Sequence, residues 1–355
     1  MPVYRFTASL DNTITNALKL GLQTRATGSN QGLSDSLQVF SIYGQASGSD
    51  VGGRTVEKSR ILIQFPVDEI SAARDAGTIP ASGSVNFYLR MFNAPHGQTL
   101  PKNYTVDISA VSGSWNEGTG LDMEAYKDKG SSNWVNAVGT HTAATATITA
   151  LSKTAGQANT RTLVVTDVNG TAVTFSIDNS LTTSTATKIA FGNANSNATQ
   201  FATNIAAAVN AATLDITASS DGATVTLTAK ATGRAGNYIA DLSGTAVTDS
   251  VVTIAGQWSG GEGKWRSQGA DIYTDSSSSF SASFDIGTED IELDITTLVE
   301  QWCSSSANSK TATDMGLKED DGLMVKLSNN VRNDMHYMRI FFYFKFFSYF
   351  YSINF

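Results

Sequence analysis

Three histidines, one cysteine and five tryptophans are the scarce side chains from which a reactive or binding site would be drawn. His96, His141 and His336 stand in no HxxxH or other ligand spacing. Each falls in an expected loop or beside a strand end, the setting of ordinary surface histidines. Cys303 is alone, so it makes no internal disulfide and belongs to no zinc spacing. It follows Trp302 on a short expected helix and reads as a packed thiol rather than a nucleophile. Carboxylates cluster at Asp285, Glu289, Asp290, Glu292 and Asp294, and again at Glu319, Asp320 and Asp321. Oxygen-rich loops suit calcium, but EF-hand spacing is absent, and a solvated acidic rim is the preferred reading. Glycosidase chemistry needs two carboxylates about 5–9 Å apart across a cleft, and no motif asks for that pairing. Gly233-x-x-Gly236 and Gly260–Gly263 lack the Gly-Lys-Ser/Thr and the strand-then-helix setting of a phosphate loop. The second of these reads as a flexible return linker. No catalytic, cofactor-binding or metal-ligating residue is assigned, and the chain is expected not to be an enzyme.

The aromatic side chains remain. Trp134, Trp265 and Trp115 are the candidates for contact with a glycan or a protein partner, because flat aromatic faces stack on sugar rings. For Trp115 the packing reading prevails, with Glu117 capping backbone amides to lock its loop. Trp134 and Trp265 flank the middle of the chain and are expected near the base of a middle domain. For these two, packing and ligand contact both stay open.

Charge removes one class of partner. The chain of 355 residues carries a net charge of −8 and no basic run, whereas phosphate backbones demand clustered Lys and Arg. Nucleic acid is therefore not expected. Apolar residues make up 41%, enough for a sizeable core, while charged residues make up only 16%. Ser, Thr, Ala, Asn and Gly fill the gap, as in solvent-facing strands and turns. The opening MPVYRFTASLDNT lacks a charged segment followed by an apolar one, so no signal peptide is expected.

Period-two patterns supply the scaffold. In Lys58–Pro66, Ile61, Ile63 and Phe65 alternate with Arg60, Leu62 and Gln64, which predicts a central strand with one buried face, closed by Pro66. Strands are also predicted at Val3–Tyr4, near residues 36–42, at Val85–Met91 and at Val106–Ala110. Later strands are expected through Phe280, Ala282, Phe284 and Ile286, through Ile291, Leu293 and Ile295, and from Leu323 to Val325. Glycines 28, 32, 44, 48, 52 and 53 mark loops. A short helix is expected over Asp68–Arg74. Another should place Leu298, Val299 and Trp302 on the core, opened by a Thr297–Glu300 capping box.

Between residues 140 and 257 the texture turns to Ala and Thr. Leu163 and Val165, a two-residue turn at Asn169-Gly170, and Val173, Phe175 and Ile177 make a hairpin. Asn197 caps a helix at Gln200, with Phe201, Ile205 and Val209 as its apolar stripe. A second hairpin turns at Asp221-Gly222, with Val225 and Leu227 facing one way. The order strand–strand–helix–strand–strand buries one helix on one small sheet. The expected fold is thus mainly β: an antiparallel β-sandwich of the jelly-roll kind over 1–139 and 258–345, interrupted by a small inserted α+β domain over 140–257. Residues 346–355 belong to an anomalous aromatic tail beginning at RIFFYFKFF. The run is shorter than the ~20 apolar residues of a membrane helix and contains Lys345, so no span is expected. Residues 338–344 can form a last strand. The rest reads as a shifted frame or truncated gene, with a partner-covered strand as the alternative, and as an aggregation hazard.

An ordered set of motifs resembles the DNRLRE-type jelly-roll domain, also classed as a carbohydrate-binding module. The set is Asn30-x-Gly32, Ser36-Leu37-Gln38-Val39, Arg60–Phe65, Val85–Met91, Ser114-Trp115-Asn116-Glu117, Trp134, and Leu293-Asp294-Ile295-Thr296 running into Leu298-Val299 and Trp302. The middle segment resembles small domains of tailed-phage sheath, tail and neck proteins, through Phe201–Ala211, Ile216-Thr217-Ala218, Val225–Ala229 and Gly233-Arg234-Ala235-Gly236-Asn237. The sandwich sequence is also similar to structural proteins of marine tailed phages. Together these resemblances imply a non-enzymatic virion component of tail or neck, assembled in the host cytoplasm. Its partners would be other virion proteins or copies of itself, with a host-surface glycan as a further option. The alternative they imply is an extracellular carbohydrate-binding module of a secreted or surface protein.

Overall fold

A computed structural model describes residues 3–19, 24–43, 56–94, 102–121, 126–152, 161–191, 197–248, 251–307, 318–328 and 342–354. Glycines 44, 48, 52 and 53, His96 and His336, and residues 338–341 of the expected last strand lie outside them. The chain divides into two compact units, Met1–Gly139 with Ser267–Phe355, and Thr140–Arg266. The first junction falls where the change of texture set it. The second lies beyond the expected 257/258 boundary, because the strand Val252–Ser259 and the buried Trp258 belong to the core of the second unit.

The first part of the chain forms strands β1 (Val3–Thr7), β2 (Leu10–Thr15), β3 (Ser36–Val39), β4 (Ser41–Tyr43) and β5 (Val56–Gln64). Helix α1 (Val67–Asp75) and strands β6 (Val85–Asn93) and β7 (Tyr104–Ala110) follow. The second unit holds β8 (Ala143–Ala150), β9 (Thr162–Thr166), β10 (Ala172–Asp178), β11 (Lys188–Ala190) and α2 (Ala198–Ala211). It continues with β12 (Ile216–Asp221), β13 (Thr224–Thr232), α3 (Thr245–Thr248) and β14 (Val252–Ser259). The first unit resumes with β15 (Ser279–Phe284), β16 (Ile291–Asp294), α4 (Thr296–Ala307), β17 (Leu323–Leu327) and β18 (Phe342–Asn354).

The first unit is an antiparallel β-sandwich. One sheet runs β15-β7-β17-β5-β2, with β4 also on β5; the other runs β1-β18-β6-β16, with β3 also on β18. Ile61 and Ile63 of β5, Val106 and Ile108 of β7, and Phe87, Leu89 and Met91 of β6 share one core. Helices α1 and α4 add Ile70, Leu298, Val299 and Trp302 to it. Strand β5 is interior, as its pattern predicts, but Leu62 is buried as well, so the strand is covered on both faces. Ile286 does not continue the alternation of β15. It stands exposed beyond the strand end, where Glu289 accepts the amides of Asp285, Ile286 and Gly287 and turns the chain. The Thr297–Glu300 capping box is not formed: Asp294 accepts the Thr296 amide at 2.9 Å, and Glu300 pairs with Arg74 of α1. The aromatic tail is a strand rather than an appendage, since β18 pairs with β1, β3 and β6, with a shift of register against β6 between Lys345 and Tyr349.

The second unit has two sheets, not one: β11-β10-β9, with β10 and β11 parallel, and β12-β13-β8-β14. Strand β8 alternates half-buried with buried positions from Ala143 to Ala150, a period hidden by the small size of Ala and Thr. Helix α2 buries Phe201, Ile205 and Val209 as expected, and Asn197 accepts the Gln200 amide at 2.7 Å. The β9–β10 hairpin forms, but its connection is longer than two residues. Asp167 and Thr171 still pair across it, leaving Val168-Asn169-Gly170 as the loop, with Gly170 at φ 80°. In the second hairpin Asp221 pairs with Thr224, so Gly222-Ala223 forms the turn instead of Asp221-Gly222.

Candidate functional site

The three candidate tryptophans are all buried. Trp115 is 4% exposed, and its indole Nε1 donates to the Asp321 carbonyl at 2.9 Å. Trp134 is 5% exposed, with the Arg60 guanidinium 4.8 Å from its ring centroid. Its backbone bonds to Thr27 and Gly269. Trp265 is 4% exposed and carries Arg234 at 5.3 Å. A sugar cannot stack on rings enclosed by protein and covered by guanidinium groups, so packing replaces ligand contact for Trp134 and Trp265 too. Trp134 lies in the first unit and Trp265 in the second.

The loop around Trp115 is held by polar side chains from β2 and the segment after it. Asn12 donates to Ser132 Oγ at 2.7 Å and accepts the Gln31 amide at 3.0 Å. Asn30 accepts the Gly120 amide at 2.8 Å and donates to the Gly130 carbonyl. Glu117 accepts the Asp11 amide at 3.2 Å, the capping role expected of it. The Asp11 side chain pays for that neighbour. Burial, and then the Glu117 charge, push its carboxyl up to about 7, and its Oδ1 is buried without a hydrogen-bond partner.

In the second unit the Gly233-x-x-Gly236-Asn237 stretch forms the 3-10 turn Arg234–Tyr238. Gly233 has φ 106°, and a Cβ on Gly236 would stand 2.6 Å from Ala144 Cβ, so backbone and strand approach closely there. Asn237 exchanges two hydrogen bonds with Gly261, accepting its amide at 2.8 Å and donating to its carbonyl at 2.9 Å. Glu262 pairs with Thr142. Gly260–Gly263 is thus a clamped return segment, not a flexible linker. This clamp sets Arg234 on Trp265 and presents Tyr238, 55% exposed, with the Arg266 guanidinium 3.9 Å from its ring centroid. Tyr238 is not among the aromatic residues that the sequence singles out as candidates. Its signal was the tyrosine directly after the Gly-x-x-Gly-Asn motif.

His141 is exposed, as expected of a surface histidine, whereas the cysteine and Asp321 of the second carboxylate cluster are enclosed. Cys303 is buried, which pushes its thiol up to about 11. It lines a cleft of about 510 Å³ with Ser71, Arg74, Asp75, Glu300 and Ser304. There the Arg74–Glu300 pair, at 2.5 Å, ties α1 to α4. The Asp320–Asp321 pair is not the solvated rim expected of it. Asp321 is buried, and burial followed by the charges of Asp321 and Asp68 pushes Asp320 up to about 7. No group of three metal-ligating side chains occurs among the described residues. No helix of the described residues is long and apolar enough to cross a membrane. Comparison with protein-family models, with curated proteins and with solved structures returns no match for this chain.

Proposed function

We propose that the chain is a non-enzymatic structural protein of a tailed-phage particle, a tail or neck component acting through assembly with other virion proteins or with copies of itself. The observation that carries this reading is the fate of the three tryptophans, whose faces serve the cores and clamps of the two units. The aromatic residues spent in this way build scaffolds, and the motif resemblances supply the particle context. Peptide mass spectrometry on a density-purified particle fraction and the matching soluble fraction tests it. Enrichment in particles is expected; recovery only from the soluble fraction refutes it.

A second reading, an extracellular glycan-binding module, draws on the exposed Tyr238 with Arg266 beside its ring. It requires retention on a polysaccharide column that Tyr238→Ala abolishes. Retention equal in both proteins removes that pair from any glycan site.

A further inference from the structure

Strand β15 is an end strand of its sheet and pairs with β7 alone, Ser279 opposite Ser109 through Phe284 opposite Tyr104. The Ala110 amide donates to the Ser278 carbonyl at 2.9 Å, one step before that register begins. Antiparallel ladders alternate bonded and non-bonded pairs. The backbone groups of Phe280, Ala282 and Phe284 therefore face β7, and those of Ser279, Ser281 and Ser283 face outward. Among the described residues, no backbone hydrogen bond outside the sheet reaches those three serines. Natural edges are blunted by lysine, proline, bulges or covering loops. This one, SFSASF, has no charge and no proline, and its register runs without a shift. The opposite sheet ends instead on β16, which carries Glu292 and Asp294.

The segment Phe280-Ser281-Ala282-Ser283-Phe284 reads the same in both directions. We propose that β15 pairs antiparallel with β15 of a second copy of this chain, about a two-fold axis at Ala282. Two-fold contacts use one patch twice, so an edge that is its own complement under reversal is what such an axis needs. In this register Ser281 exchanges ladder bonds with Ser283 of the second copy, and Ser283 with Ser281. Phe280, half-buried in one chain, lies opposite Phe284 of the second copy on the core face. Asp285 falls opposite Ser279, so no two carboxylates meet. A short edge buries little area, which places the dimer among weak, concentration-dependent contacts. The pairing does not depend on the particle reading, since sedimentation tests one and peptide location the other.

The test is sedimentation velocity of the full chain over a rising concentration series. A dimer fraction growing with concentration is expected. Ser281→Pro should abolish it and leave the circular dichroism and thermal transition unchanged, because the lost N–H points away from β7. Ala282→Cys supplies a second readout that survives any misfolding of the proline variant. Non-bonded antiparallel pairs bring Cα atoms to about 4.5 Å, within the range a disulfide spans. Mild oxidation should therefore give a dimer linked through position 282, mapped by peptide mass spectrometry. A chain that stays monomeric throughout overturns the proposal. So does a dimer that persists in Ser281→Pro, or an Ala282→Cys chain that remains unlinked.

Discussion

Replacing Asp11 by Asn should make the sandwich unit less sensitive to rising pH. Asp11 is 8% exposed, its carboxyl lies near the Glu117 charge, and its pKa is raised from 3.8 to about 7. A raised carboxyl pKa means the folded state holds the proton more tightly than the unfolded chain. The stabilisation is then complete below about pH 4 and is lost as pH climbs through about 7. A shift of about three units at ~1.4 kcal/mol each sets a ceiling of about 4 kcal/mol between those limits. Asn keeps the shape and never ionises. Asp11→Asn should therefore match the wild type near pH 4 and exceed it by about 2–4 kcal/mol near pH 8. Asp320, raised for the same reason, gives the wild type a further loss over the same window. Urea unfolding by pulse proteolysis, read on peptides from residues 1–139, isolates this unit from the other. A variant that loses stability as steeply as the wild type refutes the reasoning, as does a wild type whose stability rises over that range.

Two further substitutions or probes address the packing. Gly236→Val should destabilise the second unit by about 1–3 kcal/mol, because its Cβ would meet Ala144 at 2.6 Å, while peptides of the sandwich unit keep their protection. Cys303 should resist a thiol reagent in the folded protein near neutral pH and react fully in denaturant. Its burial withholds both access and the thiolate, and rapid labelling of the native chain would contradict that placement.

The large apolar residues made most of the architecture legible. Phe87, Leu89 and Met91, or Phe201, Ile205 and Val209, carry periods that only one kind of element satisfies. Two of the missed elements, β2 and β8, are ones whose burial is polar or small. In β2, Asn12, Thr13 and Thr15 are fully buried because each meets a partner: Ser132, the Gln38 amide and the Lys58 carbonyl. A hydropathy pattern cannot register such burial, since hydrogen bonds made across the fold are what permit it. Strand β8 escaped for want of bulk. The candidate site was legible as a set of residue types but not as surfaces. Whether a tryptophan faces solvent depends on Arg60 or Arg234 arriving from elsewhere, and spacing along the chain does not carry that information.

The pairing of β18 sets the order in which the sandwich can be completed. Val3 pairs with Ile353, and β6 and β3 take partners from the same last strand. During synthesis β1, β3 and β6 must therefore wait for nearly the whole chain, with their edges unsatisfied. Strands β7 and β15 also close across the entire second unit. In the second unit the β9–β10 and β12–β13 hairpins are local and can form early, while β8 joins them only once β13 and β14 have been made. Once folded, this unit shortens the effective loop that β7 and β15 must close. Topology thus places completion of the sandwich after that of the second unit. The interval before β18 arrives is when the chain is most exposed to pairing with the wrong neighbour.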